Sequence, residues 1–257
     1  MDDHRAEGAA VTSFSRPRYF YGQLLDVRHF ESEQEYFKRK LWMLNRMVSG
    51  CGVVCGLDVE PGDDHYSVVV SSGLALDKCG REMVVPHRSK AIPIESLPPD
   101  QSDKKESDKK EQGYKDDGEH CDGDWVHLVI CYQECRTDPE PVLTGGCDED
   151  DRCSPGAVRE GYELRLEPGK APDISVDSSI PNLIKGNYIN YRALVDWVSA
   201  PCKECGDTCI TLANIRRPTG DGRVESTDID ISVRPIVYTL DLLWELITAL
   251  SHETQNR

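Results

Sequence analysis

The sequence predicts an α+β fold, a mostly antiparallel β-barrel or sandwich with a long amphipathic helix near the N-terminus and a second helix at the C-terminus. Three observations carry this expectation. Apolar residues step at helical spacing from residue 27 to 48, β-branched runs punctuated by turn signals follow, and a second helical pattern closes the chain. Strand signals continue on both sides of residues 97–124, which argues for a single domain over 1–257.

The N-terminal helix is the clearest element. Asp26 is a good N-cap, because its carboxylate can accept amide protons of the first turn. Phe30, Phe37, Leu41, Leu44 and Val48 share one face, widened by Trp42, Met43 and Met47, while Glu31, Glu33, Glu35, Lys38, Arg39 and Lys40 fall mostly elsewhere. A helix over 27–48 spans roughly 33 Å, and Ser49-Gly50 ends it, since glycine tolerates the left-handed conformation of a helix end. Such a face either covers the protein's own sheet or also packs on a neighbouring subunit.

Two hairpins are expected next. Gly52–Glu60 and His65–Ser71 flank the turn Pro61-Gly62-Asp63-Asp64, and Gly73–Leu76 and Arg81–Val85 flank Asp77-Lys78-Cys79-Gly80. Lys90–Ile94 reads as a short edge strand, where proline is tolerated. Residues 1–15 read as a flexible arm. Residues 97–124 form an acidic low-complexity insertion with a near-tandem SDKKE repeat, and too few apolar residues to offset the entropy of ordering. Trp125–Cys131 is expected to be a central strand, followed by a long loop and a strand at Tyr162–Leu166. A short helix over Tyr188–Val198, strands at Ile210–Ile215 and Ile229–Val233, and a helix from about Pro235 complete the chain.

Composition narrows the function. Lys and Arg number 30 against 46 Asp and Glu, a net charge of −16. A phosphate backbone demands a basic surface, so nucleic acid is not an expected partner. The N-terminal MDDHRAEGAAVTSF lacks a signal-peptide pattern and no apolar run reaches membrane-span length. Cytoplasmic synthesis follows as the expectation, with release by lysis leaving the same signature.

Eleven cysteines in such a chain read as thiols or metal ligands before disulfides. Cys202, Cys205 and Cys209 form a C-x₂-C-x₃-C knuckle, and Cys135, Cys147 and Cys153 share one long loop. Four of these six thiolates suffice for a tetrahedral structural zinc. Disulfides and plain thiols are the competing readings. Cys51 and Cys55 read as small buried residues, and Cys79 sits in a turn. No G-x-S-x-G, P-loop, dinucleotide or H-E-x-x-H motif occurs, and the seven histidines are scattered, so no catalytic residues are assigned.

The string RYFYGQLLDVRHFESEQEYFKRKLWMLNRMVSGCGVVCGLDV, followed by SSGLALDKCGREMVVP, resembles a family of proteins associated with phage-tail-like contractile injection systems. Its pattern is aromatic-x-G-x-L-L, a long helix with D/H-F and E-Q-x-Y, then L-N-R, G-x-G-V-V-x-G-L-x-V and G-L-A-x-D-x-x-G-R-x-x-x-V-P. Later pieces, ICYQECRTDPEPV, VREGYELRL, ITLANI and RPIVYTLDLL, are also similar, whereas the acidic repeat and the cysteines stand outside the pattern. The resemblance implies a non-enzymatic assembly subunit at the baseplate, a fibre attachment or the cap end, with other subunits of the particle as partners and a homo-oligomeric state within it. Arg18, Tyr19, Phe20 and Tyr21, with Phe30 and Tyr36, are the expected contact residues, an Arg-aromatic set of the kind enriched at interface hot spots. The alternative is a soluble metal-stabilised binding module or hydrolase.

Overall fold

The computed structural model describes residues 13–64, 66–95, 124–142, 153–174, 183–185, 188–202, 205–206, 208–219 and 222–255. Residues 1–12 of the expected arm and 97–123 of the acidic insertion lie outside this set. Helix α1 (Val27–Leu44) continues through a π-helical turn, Asn45–Ser49, to Gly50. Its start is the expected one. Asp26, in extended conformation, closes a capping box with His29, whose Nδ1 accepts the Asp26 N–H at 3.2 Å.

The fold is α+β, and its sheets are antiparallel. Strands β1 (Gly52–Gly56), β4 (Gly73–Leu76) and β5 (Glu82–Val85) form one sheet in the order β1-β4-β5. Strands β2 (Val59–Pro61), β3 (Ser67–Val70) and β6 (Ile92–Pro93) form a second, in the order β2-β3-β6. The third runs β12-β11-β7-β8, from β7 (Trp125–Pro141), β8 (Cys153–Pro168), β11 (Cys209–Arg216) and β12 (Ile229–Asp230). A small pair, β9 (Ile184–Lys185) and β10 (Tyr188–Ile189), precedes helix α2 (Tyr191–Val198), and α3 (Leu240–Gln255) ends the chain. None of these sheets closes into a barrel among the described residues.

The expected strand Gly52–Glu60 is two strands in two sheets. Gly56 and Leu57 both take positive φ, 63° and 57°, and this left-handed step redirects the chain from β1 into β2. Leu57 is driven into that conformation by complete burial. One apolar cluster joins the sheets: Leu57, Val68, Val70, Met83 and Val85 pack with Leu128, Ile130, Ile210, Leu212 and Ile215. Trp125–Cys131 is central as expected, flanked by β11 and β8.

The stretch expected as a loop after Cys131 is instead the outer part of a long ribbon, with β7 and β8 paired as far as Pro141 and Cys153. Its residues are mostly exposed on both faces, so backbone hydrogen bonds hold it without the apolar alternation that marks a half-buried strand. At the other end, Ile236 does not start a helix. It makes a parallel bridge with Val53, closed by Val53 N–H to Pro235 O at 2.8 Å and Val237 N–H to Val53 O at 2.9 Å, which delays α3 to Leu240. Among the described residues, no helix is long and apolar enough to cross a membrane.

The β4–β5 turn fixes α1 to these sheets. Asp77 is fully buried, and its carboxylate accepts the Cys79 N–H at 2.8 Å, the Arg81 N–H at 2.9 Å and Arg81 Nε at 2.6 Å. Gly80, at φ 87°, brings the turn against the Trp42 carbonyl, where any Cβ would collide. Asn45 Nδ2 reaches across to Gly80 O at 2.9 Å and Glu82 Oε1 at 2.7 Å. Asp77→Ala is expected to cost about 3–5 kcal/mol, because it removes the buried carboxylate that accepts the Cys79 and Arg81 amides and leaves the part-buried Arg81 guanidinium without its counter-charge. Gly80→Ala is expected to cost at least about 2 kcal/mol from strain and collision. Urea denaturation of both variants checks this, and losses under about 1 kcal/mol would show that the turn is not the anchor.

Candidate functional site

Helix α1 follows no ordinary rule for an amphipathic helix. It has no buried residue along its length. Phe30, Phe37 (61% exposed), Leu41, Leu44 and Val48 form a continuous apolar stripe that faces away from the sheets. The side that touches the fold lies about a third of a turn away. There Trp42 meets Tyr132 of β7 edge-on at 6.1 Å, and the Arg81 guanidinium lies 4.5 Å from the Tyr132 ring and 6.0 Å from that of Trp42.

A polar chain extends this anchor. The Tyr132 hydroxyl donates to Glu134 Oε1 at 2.8 Å, and Lys38 reaches the same carboxylate oxygen at 3.9 Å. Burial, with the Glu134 carboxylate second, holds the Tyr132 hydroxyl well above the ordinary phenol range.

The segment before α1 folds back along it. Phe14 packs edge-on to Tyr36 at 6.3 Å, and the Tyr19 hydroxyl donates to Glu33 Oε2 at 3.0 Å. The chain then turns at Gly22, with Phe20 N–H donating to Gln23 Oε1 at 3.3 Å. A shallow groove of about 240 Å³ lies between segment and helix, lined by Arg16, Pro17, Arg18, Glu33, Tyr36 and Phe37. Of the expected contact residues, Arg18, Tyr19, Phe20 (66% exposed), Tyr21 and Phe30 are at the surface, and Tyr36 is half-buried beneath Phe14. The structure therefore brings all six onto one rib, with the α1 stripe beside them.

Helix α3 presents a second apolar surface, on the face that helical spacing of Ile236, Leu240, Leu243, Ile247 and Leu250 predicts, although Ile236 itself lies before the helix. Leu240, Leu243, Trp244 (68% exposed), Ile247 and Leu250 lie on one exposed side. The periodicity was legible in the sequence, but which helix faces are covered depends on tertiary placement.

The structure does not gather the cysteines proposed as zinc ligands. Cys205 is disulfide-bonded to Cys79 and Cys209 to Cys131. Strand register explains the second pair, because Cys209 and Cys131 sit directly opposite on β11 and β7, with Cα atoms 4.3 Å apart. The turn bearing Cys79 lies 4.9 Å from Cys205 between Cα atoms. Cys135 and Cys153 are exposed and separated by six ladder positions of the β7–β8 ribbon, about 20 Å. Cys202 is exposed, and Cys147 lies outside the described residues. Among the described residues, no group of three or more His, Cys, Asp or Glu is placed to hold a metal ion. Cys51 and Cys55 are half-buried and exposed, rather than buried as expected.

Two outcomes check this geometry. Non-reducing peptide mapping should recover Cys79–Cys205 and Cys131–Cys209, and Cys131→Ser with Cys209→Ser should lower stability by about 2–4 kcal/mol. Free thiols at all four positions in natively purified protein would contradict the pairing. For Tyr132, the unfolded phenol ionises near pH 10 while the folded one keeps its proton, so its contribution is complete below pH 10 and is lost as pH rises beyond it. Thermal melts from pH 9 to 11 should show a fall that is shallower in Tyr132→Phe, and equal slopes would remove this role.

No protein-family model matches the chain, and no curated protein matches it.

Proposed function

We propose that this chain is a non-enzymatic structural subunit of a contractile phage-tail-like injection particle, and that the rib formed by residues 14–48 is its principal contact with neighbouring subunits. The observation that carries the reading is the exposed α1 stripe. An 18-residue helix with no buried side chain gains little from its own fold, since helices in proteins draw most of their stability from burying an apolar face. Fully burying each large apolar side chain is worth about 1.5–3 kcal/mol. A stripe of Phe30, Phe37, Leu41 and Leu44 is thus an interface awaiting a partner of comparable apolarity.

Further support comes from the resemblance of residues 18–59 and 71–86 to proteins of such particles. The resembling positions are also the ones that build the rib and its anchor. Asn45 of L-N-R, and Asp77, Gly80 and Arg81 of D-x-x-G-R, hold the helix to the turn. Two charged groups that line the grooves beside the rib are engaged by neighbouring side chains, Glu33 by the Tyr19 hydroxyl and Arg28 by Asp26.

The test separates folding from assembly. Phe30→Ser, Phe37→Ser and Leu41→Ser together should leave the melting midpoint within a few degrees of wild type, because the residues are exposed, and should abolish incorporation into particles. Replacement of Tyr19, Phe20 and Tyr21 by Ala should do the same. A folded variant of either kind that enters particles normally would overturn the assignment of the rib as the contact.

A further inference from the structure

The disulfide between β7 and β11 carries a feature that a purely structural crosslink does not need. Arg165 Nη2 lies 3.1 Å from Cys131 Sγ and 3.1 Å from Cys209 Sγ, so one guanidinium spans both sulfurs. Strand register puts it there. Cys131 on β7 is directly opposite Cys209 on β11 and Glu163 on β8, and Arg165, two residues along β8, is its diagonal neighbour on the same face.

We propose that Cys131–Cys209 is a reversible thiol-exchange site, with a low-molecular-weight thiol such as glutathione as its reactant and Arg165 as the group that stabilises its reduced form. A disulfide bond carries no charge, whereas a thiolate carries a full one. A cation held against both sulfurs therefore favours the reduced pair over the oxidised pair, and makes either sulfur a better leaving group. Two carboxylates oppose this. Glu163 Oε2 lies 3.9 Å from Arg165 Nε and Glu167 Oε1 3.9 Å from Nη2, both beyond hydrogen-bond length. The guanidinium is the group in direct contact with the sulfurs, and charge interactions fall with distance, so its effect is the larger.

Access decides where exchange begins. Cys131 is buried, whereas Cys209, the first residue of β11, is part-exposed. The incoming glutathione thiolate bonds to Cys209 Sγ, and the Sγ–Sγ bond breaks with its electron pair passing to Cys131, whose thiolate stays beside Arg165. A second glutathione thiolate then bonds to the glutathione sulfur of the mixed disulfide and releases the Cys209 thiolate. The protein disulfide is reduced, two glutathiones are oxidised to one glutathione disulfide, and the two protons those thiols gave up balance the two new cysteine thiolates. The reverse steps, driven by glutathione disulfide, close the bond again. Because Tyr132 follows Cys131, the exchange sets whether the strand that meets Trp42 and Arg81 is covalently tied to β11. Nothing in this chemistry depends on assembly into particles.

Equilibration of the full chain with mixtures of reduced and oxidised glutathione at neutral pH, followed by acid quench, alkylation and peptide mapping, tests the site. In wild type, Cys131–Cys209 should pass from disulfide to dithiol as the mixture becomes more reducing. Arg165→Gln should need about a tenfold higher ratio of squared reduced to oxidised glutathione, and Glu163→Gln should shift the midpoint the other way. Cys79–Cys205, mapped in the same samples, should move by less than about twofold in either variant. With glutathione disulfide alone, Cys131→Ser should collect glutathione on Cys209, while Cys209→Ser should leave Cys131 unmodified. A Cys131–Cys209 bond that stays closed in every mixture, or glutathione captured on Cys131 instead of Cys209, would overturn the exchange site as drawn. Equal midpoints in wild type and Arg165→Gln, or an equally large shift of Cys79–Cys205, as a general loss of stability would give, would remove the role of Arg165.

Discussion

A single buried carboxylate organises the junction on which this structure depends. Asp77 has no solvent exposure, and an uncompensated charge in such a place would cost several kcal/mol. Arg81 compensates it from four residues away at 2.6 Å, and the same guanidinium lies against Tyr132 and Trp42. The ion pair therefore ties together the β4–β5 turn, the central strand β7 and the end of α1. Because the guanidinium is planar and its Nε is committed to Asp77, its faces are left to meet aromatic rings. Gly80 lets the turn approach the helix backbone, and Asn45 hydrogen-bonds across the gap.

An anchor at one end of a helix has a consequence for the other end. Trp42, Asn45 and Lys38 meet the body of the protein, whereas the stripe from Phe30 to Val48 faces outward, and the N-terminal half of α1 is supported chiefly by the segment folded back from Phe14 to Tyr21. That segment is itself aromatic and exposed. The result is a rib with apolar and aromatic surface, borne on a body whose central cluster contains no residue of α1. The disulfides lie on the body: Cys131–Cys209 links two neighbouring strands, and Cys79–Cys205 ties the anchoring turn to the segment leading into β11. Both brace the platform from which the rib projects.

Much of this was readable from residue order. The α1 face, the Asp26 cap, the hairpin around Asp77–Gly80, the central strand at Trp125 and the edge strand at Ile92-Pro93 each follow from local periodicity or turn chemistry, and the structure has them. Non-local geometry was not readable. Gly56-Leu57 splits one apparent strand because burial of Leu57 outweighs its backbone preference, and the outer β7–β8 ribbon has no apolar alternation to announce it. The cysteines illustrate the same limit. C-x₂-C-x₃-C is a local pattern, but pairing of Cys209 with Cys131 is decided by the register of β11 on β7. Similarly, the spacing of Phe30, Phe37 and Leu41 defines a face without saying whether it turns inward or outward.

Hydrogen–deuterium exchange on the free chain and on the same chain within assembled particles tests the central claim most directly. Amides of residues 27–44 should exchange readily in the free chain toward the N-terminal half of α1, and more slowly near Trp42, where the anchor holds. Assembly should protect the whole of α1 together with the Arg18–Tyr21 segment, while the core strands β3, β7 and β11 change little. Unchanged exchange over α1 and residues 18–21, with new protection confined to another surface, would contradict the account.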